Sequence, residues 1–457
     1  MDADAASGKA PETVTPTVWT PSREDLLRAQ DRRVVNVARL ARRPFWLLLL
    51  LAGPGILVML GENDGPSMLS YATTGANYGI GFFVPFICLT FLMAFVVQEM
   101  TVRIGVATRR GHAELIFDRF GPFWGYFSMI DLVIGNVLTL ITEFIAIRAG
   151  AAYFGIPATV ALSVGLLIVL VALSTRRYFT WERFALVLSL GNLLFVPAAL
   201  FAHPDPAAVL RALATWSPIA GGVNATFVML MLANVGATVT PWMIFFQQSA
   251  VVDKGLTRND IPQGRLDTGL GATFAAVAAI ATVIACTPLF MHHVDAARLS
   301  GGTDFASALR PFIGSAGAAL FALGIIEAGL VAAMTISTSS AYAFSEVMRC
   351  GHSLNLDFSS GSPFYMFAAG SAVLAALLVL SPHAPLLAIT LTVNVIATLL
   401  MAPALLFVLL LANDREIMAD LANRWRSNLA GGLIIVMIAL MGSAYGLITL
   451  FPSLLPK

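Results

Sequence analysis

The sequence predicts an all-α integral membrane protein, and three observations carry that prediction. Apolar residues make up 58% of the chain and charged residues 12%, whereas soluble globular domains carry about 25% charged residues. Eleven apolar runs are long enough to cross the roughly 30 Å hydrocarbon core of a bilayer, at about 44–79, 82–102, 122–152, 157–173, 184–202, 224–251, 269–291, 315–346, 363–381, 384–412 and 430–451. The first and the sixth are interrupted at their centres, by Gly61-Glu62-Asn63-Asp64-Gly65-Pro66-Ser67 and by Gly236-Ala237-Thr238-Val239-Thr240-Pro241.

Residues 1–43 are polar and mixed in charge, without the basic start, apolar stretch and small-residue cleavage site of a signal peptide. They are expected to form a cytoplasmic arm. Ser22 offers an N-cap for a short surface helix that ends near Arg39, Arg42 and Arg43, where cations suit the negative end of the helix dipole. Residues 44–202 hold five apolar runs, 203–223 form an extracytoplasmic loop, 224–412 hold five more, and 413–457 supply a cytoplasmic loop and an eleventh helix. With the N-terminus inside, 22 of the 27 Lys and Arg fall on cytoplasmic segments. Such a bias sets orientation and puts the C-terminus on the extracytoplasmic side.

Five runs precede the sixth, so the second half enters the membrane with the opposite sense to the first. This is the five-plus-five inverted repeat of LeuT-type transporters with discontinuous helices one and six. A broken helix in lipid leaves N–H and C=O groups unpaired unless they are buried in protein or line a polar cavity. Two breaks in corresponding positions therefore point to a substrate site near the bilayer midplane. Asp64 makes it a cation site, because a charge at membrane depth costs about 2.5–3.5 kcal/mol on insertion scales and needs a compensating role.

At the level of motifs the chain resembles the Nramp family of divalent-metal transporters over about residues 44–420. Gly53-Pro54-Gly55, Asp64 and Gly75-Ala76-Asn77-Tyr78-Gly79 fall at the spacing of that family's first helix, and Gly236 to Pro241 is similar to its sixth-helix GATVMP. Further likenesses are Gln98-Glu99 with Arg103 to Thr108, Gly111 to Leu115, Arg265 to Gly271, and Asn413 to Met418. The resemblance implies a metal site made by Asp64, Ser67, the carbonyl of Ala237, and Thr240. Gly65, Pro66 and Pro241 would serve the unwinding, and Gly65 and Gly236 are expected with Trp242, Gln247, Glu143, Glu327 and Asn394 along the cavity and ion path. Ser67 has two readings, ligand or cap of the outer half-helix; Thr240 is expected to line the cavity or hold a water.

The departures from the family pattern carry more information than the matches. Thr240 stands where the family has a Met and Ser67 where it has an Asn, so the soft sulfur is missing and two side chains are shorter. Thioethers favour polarisable transition metals, while carboxylate, hydroxyl, carbonyl and water suit hard ions such as Mg²⁺. Mg²⁺ usually keeps several waters and is held through one or two carboxylates. A wider, wetter cavity that admits a partly hydrated Mg²⁺, with Mn²⁺ also accepted, is therefore expected. This pattern is similar to the Nramp-related magnesium transporters of prokaryotes. Trp242 and Gln247 occupy the family's histidine positions, Leu140 replaces the first of its acidic pair while Glu143 remains, and residues 363–381 lack an Arg. The family's proton route is thus absent, and flux uncoupled from protons is expected; two charges moving inward across 100 mV would gain roughly 4.6 kcal/mol.

Other buried polar residues mark an ion path rather than a catalyst: Glu143 and Asp131 on the third run, Glu327 on the eighth and Asn394 on the tenth. Glu143 has a second reading as the partner of Arg148. Three cysteines without CxxC spacing argue against a disulfide framework or zinc site, a net charge of +1 makes no case for nucleic acid, and no phosphate loop GxxxxGK[ST] is present. No cofactor and no obligate protein partner are expected, and the chain is placed in the cell membrane with its substrate ion and lipid as partners. Three other readings remain open: a proton-coupled Mn²⁺ or Fe²⁺ importer, a trivalent-cation carrier of the family's plant branch, and an amino-acid or amine symporter of the same architecture. An intramembrane enzyme has least support, since no nucleophile pairs with a base.

Overall fold

The computed structural model describes residues 23–41, 50–299, 301–380 and 386–450. Among them every regular element is helical. In chain order these are α1 (Arg23–Leu40), α2 (Pro54–Gly61), α3 (Gly65–Tyr78), α4 (Phe83–Thr108), α5 (His112–Phe120), α6 (Pro122–Tyr153), α7 (Ala158–Leu173) and α8 (Tyr178–Ser189). There follow α9 (Phe195–Leu200), α10 (Pro206–Thr215), α11 (Ala225–Gly236), α12 (Pro241–Asp253) and α13 (Ile261–Met291). The last are α14 (Gly302–Val347), α15 (Ser362–Val379), α16 (Leu386–Asn413), α17 (Arg415–Met418) and α18 (Trp425–Leu450).

Proline opens many of these helices. Pro54, Pro66, Pro122, Pro206, Pro241, Pro262 and Pro363 sit in the first turn of α2, α3, α6, α10, α12, α13 and α15, where the missing N–H has no partner to lose and the ring sets φ for the helix. Among the described residues, 8 helices are long and apolar enough to cross a membrane. The first apolar run is not one of them, whereas α11 and α12 are counted together across their break. Leu92, Phe123, Leu167, Leu377 and Leu433 are more than half exposed, an apolar surface that suits lipid contact and not water. The protein is an integral membrane protein.

Several boundaries depart from the sequence expectation. α14 is 46 residues long and is broken at Gly314, whose φ of 72° only glycine adopts readily. The expected run from 315 begins at that break. The loop expected over 203–223 contains α10, capped by the Asp205 carboxylate accepting from the Ala207 N–H at 3.0 Å. α13 starts eight residues before the expected 269, because Asp260 and Thr257 form a capping box just ahead of Pro262. Ser22, the expected cap of α1, lies outside the described residues.

α14 packs along α6, and α13 runs beside α2, α3 and α4. Gly75 allows the approach of α3 to α13, since a Cβ there would stand 2.3 Å from the Val283 carbonyl oxygen. The segments expected in the cytoplasm meet at one end of the molecule. Arg28 pairs with Asp253 at 3.2 Å, Arg32 with Asp260 at 2.8 Å, Arg177 with Asp31 at 2.7 Å, and Arg23 with Asp357 at 2.5 Å. α1 is thereby strapped across the ends of α8, α12 and α13.

Candidate functional site

The two interrupted runs lie side by side, and the orphaned backbone groups at their breaks find side-chain partners. Glu62 caps the C-terminus of α2, and Asp64 caps the N-terminus of α3 with Oδ1 accepting from the Ser67 N–H at 2.9 Å. This cap leaves Ser67's own hydroxyl for other use. The next free N–H, on Gly65, donates to Glu143 Oε2 at 2.9 Å. A Cβ on Gly65 would stand 2.2 Å from the Ala146 Cβ, so only glycine lets α3 start this close to α6. On the other side of the break, Asn192 Nδ2 donates to the Leu60 carbonyl at 3.3 Å, and Asn63 Nδ2 donates to the Ala275 carbonyl of α13 at 2.9 Å.

The second break has the same design. α11 ends at Gly236 with Ala237 as C-cap, and Thr240, in extended conformation, precedes Pro241 at the start of α12. The Tyr71 hydroxyl donates to the Ala237 carbonyl at 3.0 Å, occupying one of its two lone pairs. Thr240 Oγ1 donates to Glu62 Oε2 at 2.6 Å. That bond joins the end of α2 to the start of α12 and places a carboxyl group between the two breaks.

Of the residues expected at the site, Asp64, Gly65, Ser67, Ala237, Thr240 and Glu143 are brought to these breaks, with Gly236 and Trp242 beside them. The Trp242 indole lies against Gly61, and its carbonyl accepts from Ser339 Oγ at 3.0 Å. Gln247 does not reach the breaks: it sits roughly 10 Å along α12 from Thr240 and donates to Thr268 Oγ1 at 3.0 Å. Glu327 stands one residue behind the site, accepting from Asn192 at 3.1 Å. Asn394 falls on α16, and its side chain lies outside the described residues. Glu143 does not pair with Arg148, which donates to the Val379 carbonyl at 2.9 Å. Asp131 is not on an interior path either; it lines a surface groove with Phe123, Phe127, Ile130 and Leu400.

The wide, wet cavity expected from the shorter side chains is closed in this conformation. Asp64 is 1% exposed, Thr240 4% and Glu62 0%. Thr240 is bonded there to Glu62. Buried oxygens nevertheless remain without a hydrogen bond: Glu62 Oε1, Glu143 Oε1 and Ser67 Oγ. Polar groups buried in that way cost free energy and ask for a partner. No three His, Cys, Asp or Glu among the described residues stand at the spacing of a ready metal cage. The arrangement is a line of hard oxygen donors along two helix ends.

Sequence reasoning missed Glu62, Tyr71 and Asn192. Glu62 was legible on the same ground as Asp64, a charge at membrane depth, but it lies two residues ahead of the motif that begins at Asp64. Tyr71 and Asn192 act through backbone carbonyls, for which no motif exists.

The family model described as Natural resistance-associated macrophage protein-like matches residues 55–449. The chain belongs to the Nramp family. Nramp relatives include a divalent metal cation transporter MntH of Pectobacterium carotovorum, 26% identical over a 320-residue alignment that covers 66% of this chain and 72% of that one. The MntH of Brucella suis is 27% identical over 337 residues, 69% of this chain and 71% of that one. Among solved structures, the manganese transporter of Eremococcus coleocola superposes with a TM-score of 0.71 at 19% identity, covering 91% of this chain and 90% of that one. A Na⁺-coupled sialic acid symporter gives a TM-score of 0.52 at 13% identity, covering 94% and 98%. These likenesses show the fold, which is the LeuT-type architecture.

Proposed function

We propose that the protein is a transporter for divalent metal ions that carries Mg²⁺, accepts Mn²⁺, and works by alternating access without proton coupling. The observation that carries this reading is the donor set at the two breaks, where carboxylate, hydroxyl and carbonyl oxygens gather and residues 61–67 and 236–241 include no Met or Cys. Asp64 supplies charge, Ser67 Oγ is buried and unpartnered, and the Ala237 carbonyl retains a lone pair beyond its bond to Tyr71. Such a set suits a hard cation that keeps part of its water shell. Glu143 holds the start of α3 through the Gly65 N–H, which keeps the axis of α3 aimed at the ion.

Absence of proton coupling is supported by the positions where the family carries its two sixth-helix histidines and the first of its acidic pair: Trp242, Gln247 and Leu140 stand there, and none of them titrates near neutral pH. The N-terminus is taken to be cytoplasmic on the distribution of Lys and Arg, and the membrane is taken to be the cell membrane. A Mn²⁺ importer is the second reading, favoured by the names of the relatives, one a manganese transporter and the others divalent metal cation transporters.

Flux into proteoliposomes tests both readings. Mg²⁺ uptake is expected to exceed Mn²⁺ and Ca²⁺ uptake at equal concentration, with an internal pH dye unchanged. Asp64→Ala should lower Mg²⁺ uptake at least about tenfold, the effect of roughly 1.4 kcal/mol of lost binding, while the protein stays monodisperse. Acidification driven by the metal would reinstate coupling; Mn²⁺ uptake without Mg²⁺ uptake would favour the second reading.

A further inference from the structure

The family pattern accounts for one carboxylate in the first break, and the structure places a second there. We infer that Glu62 is a direct ligand of the transported cation, so that the ion is held between two carboxylates, Asp64 and Glu62, with Thr240 as the positioning residue for Glu62. This rests on the proposed function and adds to it the charge and ligand count of the site.

Three observations support it. Glu62 Oε2 accepts from Thr240 Oγ1 at 2.6 Å, and these residues terminate α2 and begin α12, so the carboxyl group stands in the gap between the two breaks. The residue is 0% exposed, and its other oxygen, Oε1, has no hydrogen-bond partner. A buried carboxylate with one idle oxygen is poorly compensated; the Trp242 indole N–H, itself without a partner, is the neutral donor near it, and a cation is the partner that balances its charge. Neighbouring groups point the same way: Ser67 Oγ, five residues on, is also idle. The Asp64 cap bond to the Ser67 N–H holds that carboxylate at the head of α3.

The consequence is electrostatic. Two ionised carboxylates around a divalent ion make a loaded site of zero net charge, and a neutral site crosses the low-dielectric centre of the protein without the penalty that a net charge carries. Thr240 can donate to Glu62 and still offer lone pairs to the ion or to one of its waters. A methionine at this position would offer Glu62 no donor. The loss of sulfur and the presence of Glu62 are then parts of one change, from a mixed donor set to an all-oxygen one.

Isothermal titration of Mg²⁺ into the purified full-length chain tests this, on wild type, Glu62→Gln and Asp64→Asn side by side. Glutamine keeps an oxygen for Thr240 and loses only the charge. Glu62→Gln should weaken Mg²⁺ binding fivefold or more while the metal-free protein melts within about 3 °C of wild type. Weakening of less than fivefold, with Asp64→Asn losing binding, would overturn the role of Glu62 and leave the proposed function standing. Failure of the wild type to bind any divalent ion would remove both. Should Glu62→Gln not yield folded protein, Glu62→Asp keeps the charge and withdraws it by one methylene. It should then change the ratio of Mg²⁺ to Ca²⁺ affinity at least threefold, and an unchanged ratio would count against direct ligation.

Discussion

Thr240 shows how much one hydroxyl settles at the residue scale. Its proton ties Glu62 across the two breaks at 2.6 Å, and its place in the sequence, just before Pro241, ensures that its own backbone is extended and not helical. The sequence displayed Thr240 and Asp64 plainly, through a break motif and a charge at membrane depth. It did not display that Glu62 would face the second break, because the direction of a side chain in an unwound segment follows no helical period. A second buried residue, outside the membrane-spanning segments, has a consequence for pH. His112 opens α5, fully buried against Phe245, with Nδ1 bound to Gln248 Oε1 at 2.9 Å. Burial lowers its pKa to about 4, although the bond to Gln248 opposes that shift. The unfolded chain takes up a proton near the ordinary value of 6.5 and the folded chain does so only near 4, so stability falls as the pH drops through that window. His112→Phe should therefore flatten the loss of stability between pH 7 and pH 5 by about 2 kcal/mol, read from denaturation midpoints at both values. An unchanged slope would show that His112 takes up its proton at the same pH in the folded and unfolded chain.

At the scale of elements, the half-helices are held at both ends by buried polar groups on neighbouring helices. The N-terminal end of α2 is gripped by Asp267, which accepts from the Gly53 N–H at 2.9 Å and the Gly55 N–H at 2.7 Å. Lys254 donates to the Ala52 carbonyl and to Glu182, both at 2.8 Å. The Gly53-Pro54-Gly55 and Arg265 to Gly271 stretches, which looked like separate family signatures in the sequence, are thus two sides of one contact. The strap formed by α1 was only half legible. Its helical character followed from composition, but its anchors are single acids scattered through later loops. Asp260 is the chief one: it binds Arg32 at 2.8 Å, is also paired with Arg39, and accepts from the Thr257 N–H at 2.9 Å. Asp260→Ala should release α1, raising amide hydrogen exchange over residues 23–40 by about tenfold, the effect of roughly 1.4 kcal/mol. Exchange at the wild-type rate would mean that the remaining pairs hold α1 without Asp260.

For the whole molecule, the run of apolar segments and the two interruptions made the architecture legible, since lipid leaves a chain few ways to satisfy its backbone. What the sequence could not convey was how closed the centre is: Glu62, Asp64 and Thr240 are shielded from solvent, and the helices pack over them. That closure depends on close approaches such as Gly65 to Ala146 and Gly75 to Val283, which a linear reading records only as glycines. The account depends on a cation held by oxygen between the two breaks. Anomalous scattering from crystals of the full-length protein grown with Mn²⁺ as a stand-in for Mg²⁺ tests this most directly. The expected result is one strong peak bounded by residues 62–67 and 237–240 that weakens when Mg²⁺ is added in excess. A peak lodged elsewhere in the protein, with none at the breaks, would contradict the account.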